Sequence, residues 1–476
     1  MKRREKMLLL DLLKDIDVKN LSNVQNININ GIQINSKKVK QGDLFVCLNG
    51  TRVDGHNFIY EAKQNGAIAF VVEKVDKKFD GIQILVNDSK KALSYLAKNF
   101  FVHNQMPTMI GITGTNGKTT TTYMVASILK QAGKKVGVIG TQGAVFYDYK
   151  QNYNMTTPDP IELFKTINDM KELGAEYIVM EVSAHAIQLK KIDAIPFTVK
   201  AITNISQDHL DFFKSLKKYA RCKLGFMSCG DGKKVVNIDD KFSKLLLKKI
   251  DALSFSTNTT ADIYSFSENL EKNEYSVNLM GELIEINSNT YGKYNMSNAL
   301  CAIAICYLLD INPQDMANGI NNFVAVDGRF NVIIKNGIKF VVDFAHTPDA
   351  FNNVIPVARE MTKGKLFVVF GCGGDRDKNK RPKMGRIASK LCDYVILTED
   401  NPRSEKIEDI CEDISRGIKN DNYTIIPNRK EAIYKAYSMA KNDDTILVLG
   451  KGAEDYIEKG GKKYPYLDKT VISELN

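Results

Sequence analysis

Short apolar runs alternate along most of this 476-residue chain with longer stretches whose apolar residues have helical spacing. The short runs predict β-strands, and the longer stretches predict amphipathic helices. Strands and helices in alternation are typical of parallel sheets covered by helices on both faces. We therefore predict an α/β fold, and the length alone favours about three domains.

The pattern divides the chain into three segments. Residues 1–103 form a smaller N-terminal α/β domain, with strands within 42–48 and 66–72 and a helix over 89–100. A linker over 103–107 leads to a central domain, 104–328, with a parallel sheet of the kind found in P-loop ATPases. A Rossmann-like domain follows over 329–476. The predicted strands of the last two are 135–139, 177–180, 199–202, 234–237, 340–342, 366–370, 394–397 and 445–449, with an antiparallel portion over 252–290 and a helix over 295–309.

One turn between a strand and a helix has the composition of a phosphate-binding loop. Gly114 and Gly117 let backbone N–H groups approach an anion, and the helix that begins here adds partial positive charge. Lys118 supplies a mobile cation, and Thr119 is placed to ligate Mg²⁺. The strict Walker pattern fails because residue 112 is Ile. The alternative is a threonine-rich helix cap, and the loop alone leaves GTPase, kinase and ligase open.

Polar residues end two further strands of the central segment. Glu181 follows one apolar run, where a nucleotide-bound Mg²⁺ needs a carboxylate, although a strand-terminal salt bridge is the simpler alternative. Asp208 and His209 follow the next strand, so they reach the same crevice if the sheet is parallel. A lone histidine is more often structural. Lys223 lies on a predicted helix and by itself reads as a solvated lysine.

Composition narrows the function classes. The net charge of +10 suits anionic metabolites, whereas the scattered lysines argue against nucleic acid. None of the eight cysteines forms a CxxC pair and only five histidines are present, which disfavours a zinc site or disulfides and fits a reducing cytoplasm. The apolar run over 7–10 is too short for a signal peptide or a membrane span.

The motifs together resemble the Mur ligases, and within that family the MurE ligases. The order and spacing of several motifs carry the resemblance over nearly the whole chain. They are residues 114–120, 181–185, 204–211, 292–298, 328–329, 343–349, 371–377 and 400–403.

The resemblance implies a ligase that uses ATP and Mg²⁺ to turn a substrate carboxylate into an acyl phosphate, which an amine then attacks. Its catalytic residues would be Lys118, Glu181, His209 and Lys223, the last bearing a carbamate. The metal ligands would be Thr119, Glu181, His209 and Lys223. The ATP-binding residues would be Gly114, Thr115, Asn116, Gly117, Lys118, Thr119, Thr120, Asn295, Arg329, Asp343 and His346.

The resemblance also implies the substrates, UDP-N-acetylmuramoyl-L-alanyl-D-glutamate and meso-diaminopimelate, for peptidoglycan precursor synthesis by a cytoplasmic monomer. Arg403 ends the motif Asp-Asn-Pro-Arg over residues 400–403. Its guanidinium suits the distal carboxylate of diaminopimelate, which lysine lacks. The UDP-substrate residues would be Ser36, Thr51, Arg52, Thr156, Thr157, Ser183 and Lys191. The amino-acid residues would be Arg376, Asn401, Arg403, Gly450 and Glu454.

Several positions depart from the family pattern, mostly along the expected path of the UDP-linked substrate. They are Asn35, Lys37, Met155, Ala184, Lys191, Gln207 and Ala453. Three alternatives therefore stay open: a paralogue that joins another acid and amine with the same ATP chemistry, a lysine-adding variant, and a nucleotide-binding switch that ligates nothing.

Overall fold

The structure, a computed structural model, describes residues 6–20, 24–50, 53–102, 105–153, 155–269 and 272–475. Within these ranges, no helix combines the length and the apolar character that crossing a membrane requires. The chain forms two compact units, and each is described by itself. The first comprises Met1–Thr113, Gly133–Lys200 and Cys229–Lys233, and the second comprises Gly114–Ala132, Ala201–Ser228 and Lys234–Asn476.

The strands follow one another along the chain with these bounds: β1 (Met7–Leu8), β2 (Asn28–Ile29), β3 (Gly31–Gln33), β4 (Asp43–Val46), β5 (Ala67–Val72), β6 (Ile82–Leu85), β7 (Thr108–Thr113), β8 (Val136–Gly140), β9 (Gly143–Phe146), β10 (Tyr149–Gln151), β11 (Tyr177–Glu181), β12 (Phe197–Ile202), β13 (Lys233–Asn237), β14 (Leu253–Ser256), β15 (Ile263–Asn269), β16 (Glu274–Leu279), β17 (Glu282–Asn287), β18 (Asn331–Lys335), β19 (Ile338–Asp343), β20 (Leu366–Phe370), β21 (Tyr394–Leu397), β22 (Tyr423–Ile425), β23 (Thr445–Leu449), β24 (Tyr456–Lys459) and β25 (Lys462–Pro465).

The α-helices have these bounds: α1 (Leu9–Leu12), α2 (Ile59–Gln64), α3 (Ser89–Phe101), α4 (Lys118–Gln131), α5 (Pro160–Glu172), α6 (Ala184–Gln188), α7 (Leu210–Phe213), α8 (Leu216–Ser228), α9 (Lys293–Tyr307), α10 (Pro313–Asn321), α11 (Pro348–Glu360), α12 (Arg381–Leu391), α13 (Ile407–Ser415), α14 (Arg429–Met439) and α15 (Asp468–Ser473).

The first unit contains two groups of paired strands. The N-terminal group has the order β3-β4-β5-β6 and is parallel throughout. Helix α3 packs on it through an apolar face, and Asp88 caps that helix by accepting from the Lys91 N–H at 2.9 Å. The second group has the order β10-β9-β8-β11-β7, in which β8, β11 and β7 are parallel and the other pairings are antiparallel.

The second unit contains the strand groups β13-β14-β15-β16-β17 and β18-β19-β23-β20-β21-β22. In the latter all pairings but β18–β19 are parallel. Both faces of this sheet are buried, because Phe340 and Val342 belong to one apolar cluster while Val341, between them, belongs to another. Continuous apolar strands of this kind are typical of a parallel sheet with helices on both faces.

The predicted α/β fold class is confirmed, and each predicted strand of the central and last segments has an observed counterpart. One expectation was wrong in part. The portion over 252–290 is antiparallel only from β15 to β17, because β14 pairs parallel with both β13 and β15. Part of the predicted linker, residues 103–104, lies outside the described residues. The three-domain boundaries stay a prediction.

Candidate active site

The phosphate loop joins the end of β7 to the start of α4. Gly117 immediately precedes the helix with a φ of 83°, and a Cβ there would come within 2.2 Å of the Asn298 side-chain oxygen. Only glycine meets both demands without strain. The predicted loop is therefore present, with its glycine where the backbone turns into the helix.

Side chains from the residues after β12 fix the shape of this loop. Asn204 accepts from the Asn116 N–H at 2.9 Å through its side chain, and Thr203 donates to the Asn116 carbonyl at 2.6 Å. Lys118 folds back over the loop, and its Nζ donates to the Gly114 carbonyl at 3.0 Å. The lysine thus lies against the space in which the loop would hold a phosphate.

Lys223 approaches the same loop from α8. Its Nζ donates to the Gly114 carbonyl at 2.8 Å, and the side chain is 1% exposed. Burial, assisted by the charge of nearby Lys118, holds the pKa of Lys223 well below its ordinary value. The interpretation of Lys223 as a solvated lysine is therefore wrong. A lowered pKa makes the neutral form of the amine more accessible, and the neutral form is the one that reacts with CO₂ to form a carbamate.

His209 immediately precedes α7 and has a φ of 53°, which is uncommon for a residue other than glycine. Asp208 fixes its backbone by accepting from the His209 N–H at 2.9 Å, and its other oxygen lies 3.3 Å from His209 Nε2. The same carboxylate lies 3.7 Å from His346 Nε2 and 3.9 Å from Lys380 Nζ. Burial would raise the pKa of Asp208, but His346, His209 and Lys380 together hold it well below its usual range.

Glu181 ends β11 in the first unit and is buried. Its carboxylate accepts from the Thr141 N–H at 2.8 Å and from the Thr141 hydroxyl at 3.1 Å. Thr157 donates to the Glu181 carbonyl at 2.9 Å and lies 3.3 Å from the Ser183 hydroxyl. The Thr141 hydroxyl lies 3.2 Å from that of Thr156. Three of the predicted substrate residues therefore surround the end of this strand.

Lys191 is also in the first unit and is already paired. Its Nζ lies 2.7 Å from Asp159 and 3.3 Å from the sulfur of Met155. Ser36, the other described residue of the predicted UDP site, is buried and donates to Glu61 at 2.6 Å. Thr51 and Arg52 lie outside the described residues.

Asn295, one of the predicted ATP-binding residues, borders an open pocket in the second unit. Arg329 lines the same pocket, stacks on Phe344 with 4.5 Å to the ring centroid, and donates to the Thr119 hydroxyl at 3.0 Å. Arg329 therefore connects the lining of this pocket with the first turn of the helix that follows the phosphate loop.

Two further residues of the predicted ATP site support the same region. Asp343 accepts from the Phe330 and Ala345 N–H groups, each at 2.7 Å, and burial raises its pKa. The Nδ1 of His346 lies 2.9 Å from the Phe344 carbonyl. Both side chains thus brace the backbone on which Arg329 and Phe344 lie.

The predicted amino-acid residues meet at the carboxyl ends of β21 and β23. Arg403 has a φ of 54°, donates from Nη1 to the Gly374 carbonyl at 2.7 Å, and places Nε 3.2 Å from Glu458. Asn401 donates to Glu454 at 2.8 Å and accepts from the Glu458 N–H at 2.8 Å. Asn401 therefore connects the side chain of Glu454 with the backbone of Glu458.

The remaining predicted residues differ in their surroundings. Gly450 has a φ of 110°, and a Cβ there would meet the Asp400 carboxylate at 2.5 Å, so glycine is required. Arg376 is exposed. Lys451, which sequence reasoning missed, is fully buried and lies 2.9 Å from Glu454. Its position in a glycine-rich turn after a buried strand was the available signal.

Within the part of the chain that the structure describes, no group of three His, Cys, Asp or Glu side chains is placed to hold a metal ion by itself. The predicted metal set has two ligands of these types, Glu181 and His209, and adds the Thr119 hydroxyl and a modified Lys223. Oxygen ligands of these kinds suit Mg²⁺.

The chain matches three protein-family models in succession. "Mur ligase family, catalytic domain" matches residues 28–101, "Mur ligase middle domain" matches 112–306, and "Mur ligase, glutamate ligase domain" matches 328–452.

Similar proteins align over almost the full length. The UDP-N-acetylmuramoyl-L-alanyl-D-glutamate--2,6-diaminopimelate ligase 1 of Clostridium acetobutylicum is 40% identical over 98% of this chain and 99% of its own. The Aquifex aeolicus ligase of that name, without the numeral, is 41% identical over 94% and 93%. A solved structure of a ligase of the same name covers 94% of both chains with a TM-score of 0.66 at 27% identity. Together with the geometry of the phosphate loop, these matches establish that the chain belongs to the Mur ligase family of ATP-dependent ligases.

Proposed function

We propose that this chain adds meso-diaminopimelate to UDP-N-acetylmuramoyl-L-alanyl-D-glutamate, with ATP as the energy source, in peptidoglycan precursor synthesis. The observation that carries the proposal is the contact between the buried amine of Lys223 and the phosphate loop. A nucleotide switch has no need of a buried lysine at that place. The relatives named for this reaction support the choice of substrates.

The reaction has two steps. The carboxylate of the UDP-linked substrate attacks the γ-phosphorus of ATP, which gives an acyl phosphate and ADP. The amine of diaminopimelate then attacks the acyl carbon, loses a proton, and expels inorganic phosphate from a tetrahedral intermediate. Phosphoryl transfer depends on positioning and charge neutralisation, and Lys118 and the loop N–H groups supply both.

The residues fit a magnesium ion together with a carbamate on Lys223. Neutral amines react with CO₂, and the lowered pKa of Lys223 favours the neutral form of that amine. The carbamate would convert a cation into an oxygen ligand. We propose Thr119, Glu181, His209 and the modified Lys223 as the metal ligands, where Mg²⁺ would neutralise the phosphoryl oxygens.

ATP would lie along the second unit's pocket. We propose that Gly114, Thr115, Asn116, Gly117, Lys118, Thr119 and Thr120 bind the phosphates. Asn295 would contact adenine, because its side chain borders the pocket and is held by the Asn298 amide at 3.1 Å. Arg329, Asp343 and His346 complete the nucleotide site.

Diaminopimelate would bind with its distal end between Arg403 and Glu454. An arginine accommodates the distal carboxylate in a planar fork, and a carboxylate accommodates the distal ammonium. Arg376, Asn401 and Gly450 shape the same pocket. The lysine-adding alternative is disfavoured, because lysine would leave Arg403 without a carboxylate from the substrate.

The UDP-linked substrate would contact Ser36, Thr51, Arg52, Thr156, Thr157, Ser183 and Lys191. One observation favours the paralogue that takes a different acid. The cation of Lys191 is already balanced by Asp159 at 2.7 Å, so it attracts an anionic substrate less than an unpaired cation would. We keep the muramoyl dipeptide as the proposed acid, since Thr156, Thr157 and Ser183 are in place beside Glu181.

We further propose that the chain has three domains, 1–103, 104–328 and 329–476, and acts as a monomer in the cytoplasm, where ATP and nucleotide-linked precursors are available. The test is release of inorganic phosphate by the purified protein with ATP, Mg²⁺, the UDP-linked dipeptide and meso-diaminopimelate. Release that requires all components supports the proposal. Background release with these substrates, alongside turnover of another acid and amine, would refute it.

A further inference from the structure

A short segment of the second unit contacts both the loop that carries His209 and the loop that carries Arg403. The segment comprises residues 377–383, a single 3-10 turn, Lys378–Lys380, followed by the first residues of α12. We call it the connector. Asp377, Lys380 and Lys383 contact the loop that carries His209. Lys378 and Arg381 contact the loop that carries Arg403.

The contacts on one side are to Gln207 and Asp208. Asp377 caps the 3-10 turn with one oxygen and accepts from the Gln207 amide at 2.9 Å with the other. Lys383 donates to the Gln207 side-chain oxygen at 2.6 Å. Lys380, which is buried, lies 3.9 Å from Asp208. The uncharged amide of Gln207 thus satisfies an anion and a cation at once.

The contacts on the other side are to Glu405, two residues after Arg403. Arg381 is 1% exposed and holds Glu405 through two parallel bonds of 2.9 Å. Glu405 also accepts from the Asp375 N–H at 2.6 Å and lies 3.0 Å from Lys378. A bidentate arginine–carboxylate pair is among the most geometrically specific polar contacts in proteins.

We propose that the connector sets the position of the amino-acid pocket relative to the loop of His209, and that Gln207 and Arg381 are positioning residues for amide formation. The inference rests on the proposed function, because it concerns the attack of the amine on the acyl phosphate. Attack needs the amine within about 3.5 Å of the acyl carbon, and a displacement of about 1 Å can cost about 100-fold in rate.

Two substitutions remove the contacts between Gln207 and the connector and leave every residue of the proposed binding sites unchanged. Gln207→Leu removes both amide contacts while keeping the side-chain size, and Lys383→Met removes one of them from an exposed position. Lys390→Met is the matched control, since Lys390 is an exposed lysine in the last turn of the same helix.

Two rates are compared in each variant with ATP, Mg²⁺ and the UDP-linked dipeptide. One is amide formation with meso-diaminopimelate, and the other is hydroxamate formation when hydroxylamine, which needs no pocket, replaces the amino acid. In Gln207→Leu we expect kcat for the amide to fall about tenfold, with hydroxamate formation and the KM for diaminopimelate within about twofold. The kcat for amide formation should fall less in Lys383→Met than in Gln207→Leu. In the double variant it should fall no further than in Gln207→Leu alone.

A parallel fall in both rates, or an unchanged amide rate in Gln207→Leu, would overturn the inference. A second readout needs no substrate: the Gly374 and Asp375 N–H groups should exchange with deuterium faster in Gln207→Leu and as in wild type in Lys390→Met. Unchanged exchange in Gln207→Leu would also overturn it. If the wild-type protein forms neither the amide nor the hydroxamate, the proposed function is wrong. Deuterium exchange is then the measurement that tests the role of the connector.

Discussion

The side-chain amine of Lys223 donates a hydrogen bond of 2.8 Å to the carbonyl oxygen of Gly114, the first glycine of the phosphate loop. Two residues 109 positions apart therefore meet inside one site, with a lysine whose pKa is lowered mainly by burial. The contact links the phosphate loop to the lysine that we propose carries a carbamate. The chemistry proposed for this protein depends on that link.

Lys223→Ala should abolish phosphate release, because it removes both the loop contact and the proposed carbamate. Short carboxylic acids added to the assay should restore part of the activity by supplying the missing oxygen ligand. Lys218→Ala, on the same helix and exposed, is the control. Full activity of Lys223→Ala without any added acid would remove the carbamate from the account.

Arg403→Met should cost selectivity more than turnover. We expect kcat/KM for meso-diaminopimelate to fall about 100-fold, the cost of a charged hydrogen bond of about 3 kcal/mol. The value for lysine should change little, since lysine has no distal carboxylate. Steady-state kinetics with both amino acids measure the ratio, and an unchanged ratio would show that Arg403 does not read that carboxylate.

Arg329→Met should raise the KM for ATP by about tenfold, the effect of losing one charged contact. The guanidinium stacks on Phe344 and donates to the Thr119 hydroxyl at 3.0 Å, so its loss frees both groups. Arg386→Met, an exposed change on α12, should leave the KM unaltered. If the two variants have the same KM for ATP, then Arg329 does not contact the nucleotide.

Gly117→Ala should distort the phosphate loop and destabilise the protein. Alanine at a φ of 83° is strained, and its methyl group would collide with Asn298, so we expect a loss of about 2 kcal/mol in the free energy of unfolding and no ATP binding. Gly225→Ala is the matched change, because a Cβ there meets nothing within 4 Å. In that exposed helical position it should stabilise by up to about 1 kcal/mol. Urea unfolding and nucleotide titration compare the two.

Glu405→Gln should destabilise the protein at neutral pH and progressively less in acid. Hydrogen bonds from Arg381 lower the pKa of Glu405 from 4.5 to about 2. A carboxyl group whose pKa is depressed by folding contributes stability that is full above the unfolded pKa and lost as the pH falls through the folded one. The difference in the free energy of unfolding between wild type and variant, about 2 kcal/mol at pH 7, should therefore shrink between pH 4.5 and 2. If the difference in the free energy of unfolding does not change with pH, then the charge of Glu405 does not stabilise the folded protein.

The phosphate loop could be predicted from sequence because its requirements are local. Gly117 needs a positive φ, and the apolar strand and the helical spacing on either side are within a few residues of it. The strands of the last segment were equally accessible, since burial on both faces makes them continuous apolar runs. The motif resemblance then supplied residue roles that periodicity could not.

The remaining features depend on partners that lie far apart along the chain. Asp208 gathers His346 and Lys380, and Gln207 reaches Asp377 across 170 positions. Neither contact leaves a periodic signal. The same applies to the pairing of Lys191 with Asp159, which turns an expected substrate cation into part of a salt bridge. The role of each of these side chains depends on a partner that only the folded chain brings close. The neighbouring sequence does not show which partner that is.

The measurement that tests the central claim most directly is mass analysis of the product formed from ATP, the UDP-linked dipeptide, and equal amounts of meso-diaminopimelate and L-lysine. We predict a single nucleotide product that has gained one diaminopimelate residue, with one ADP formed for each. A product carrying lysine, or no amide product from an enzyme that still consumes ATP with another acid and amine, would contradict the account.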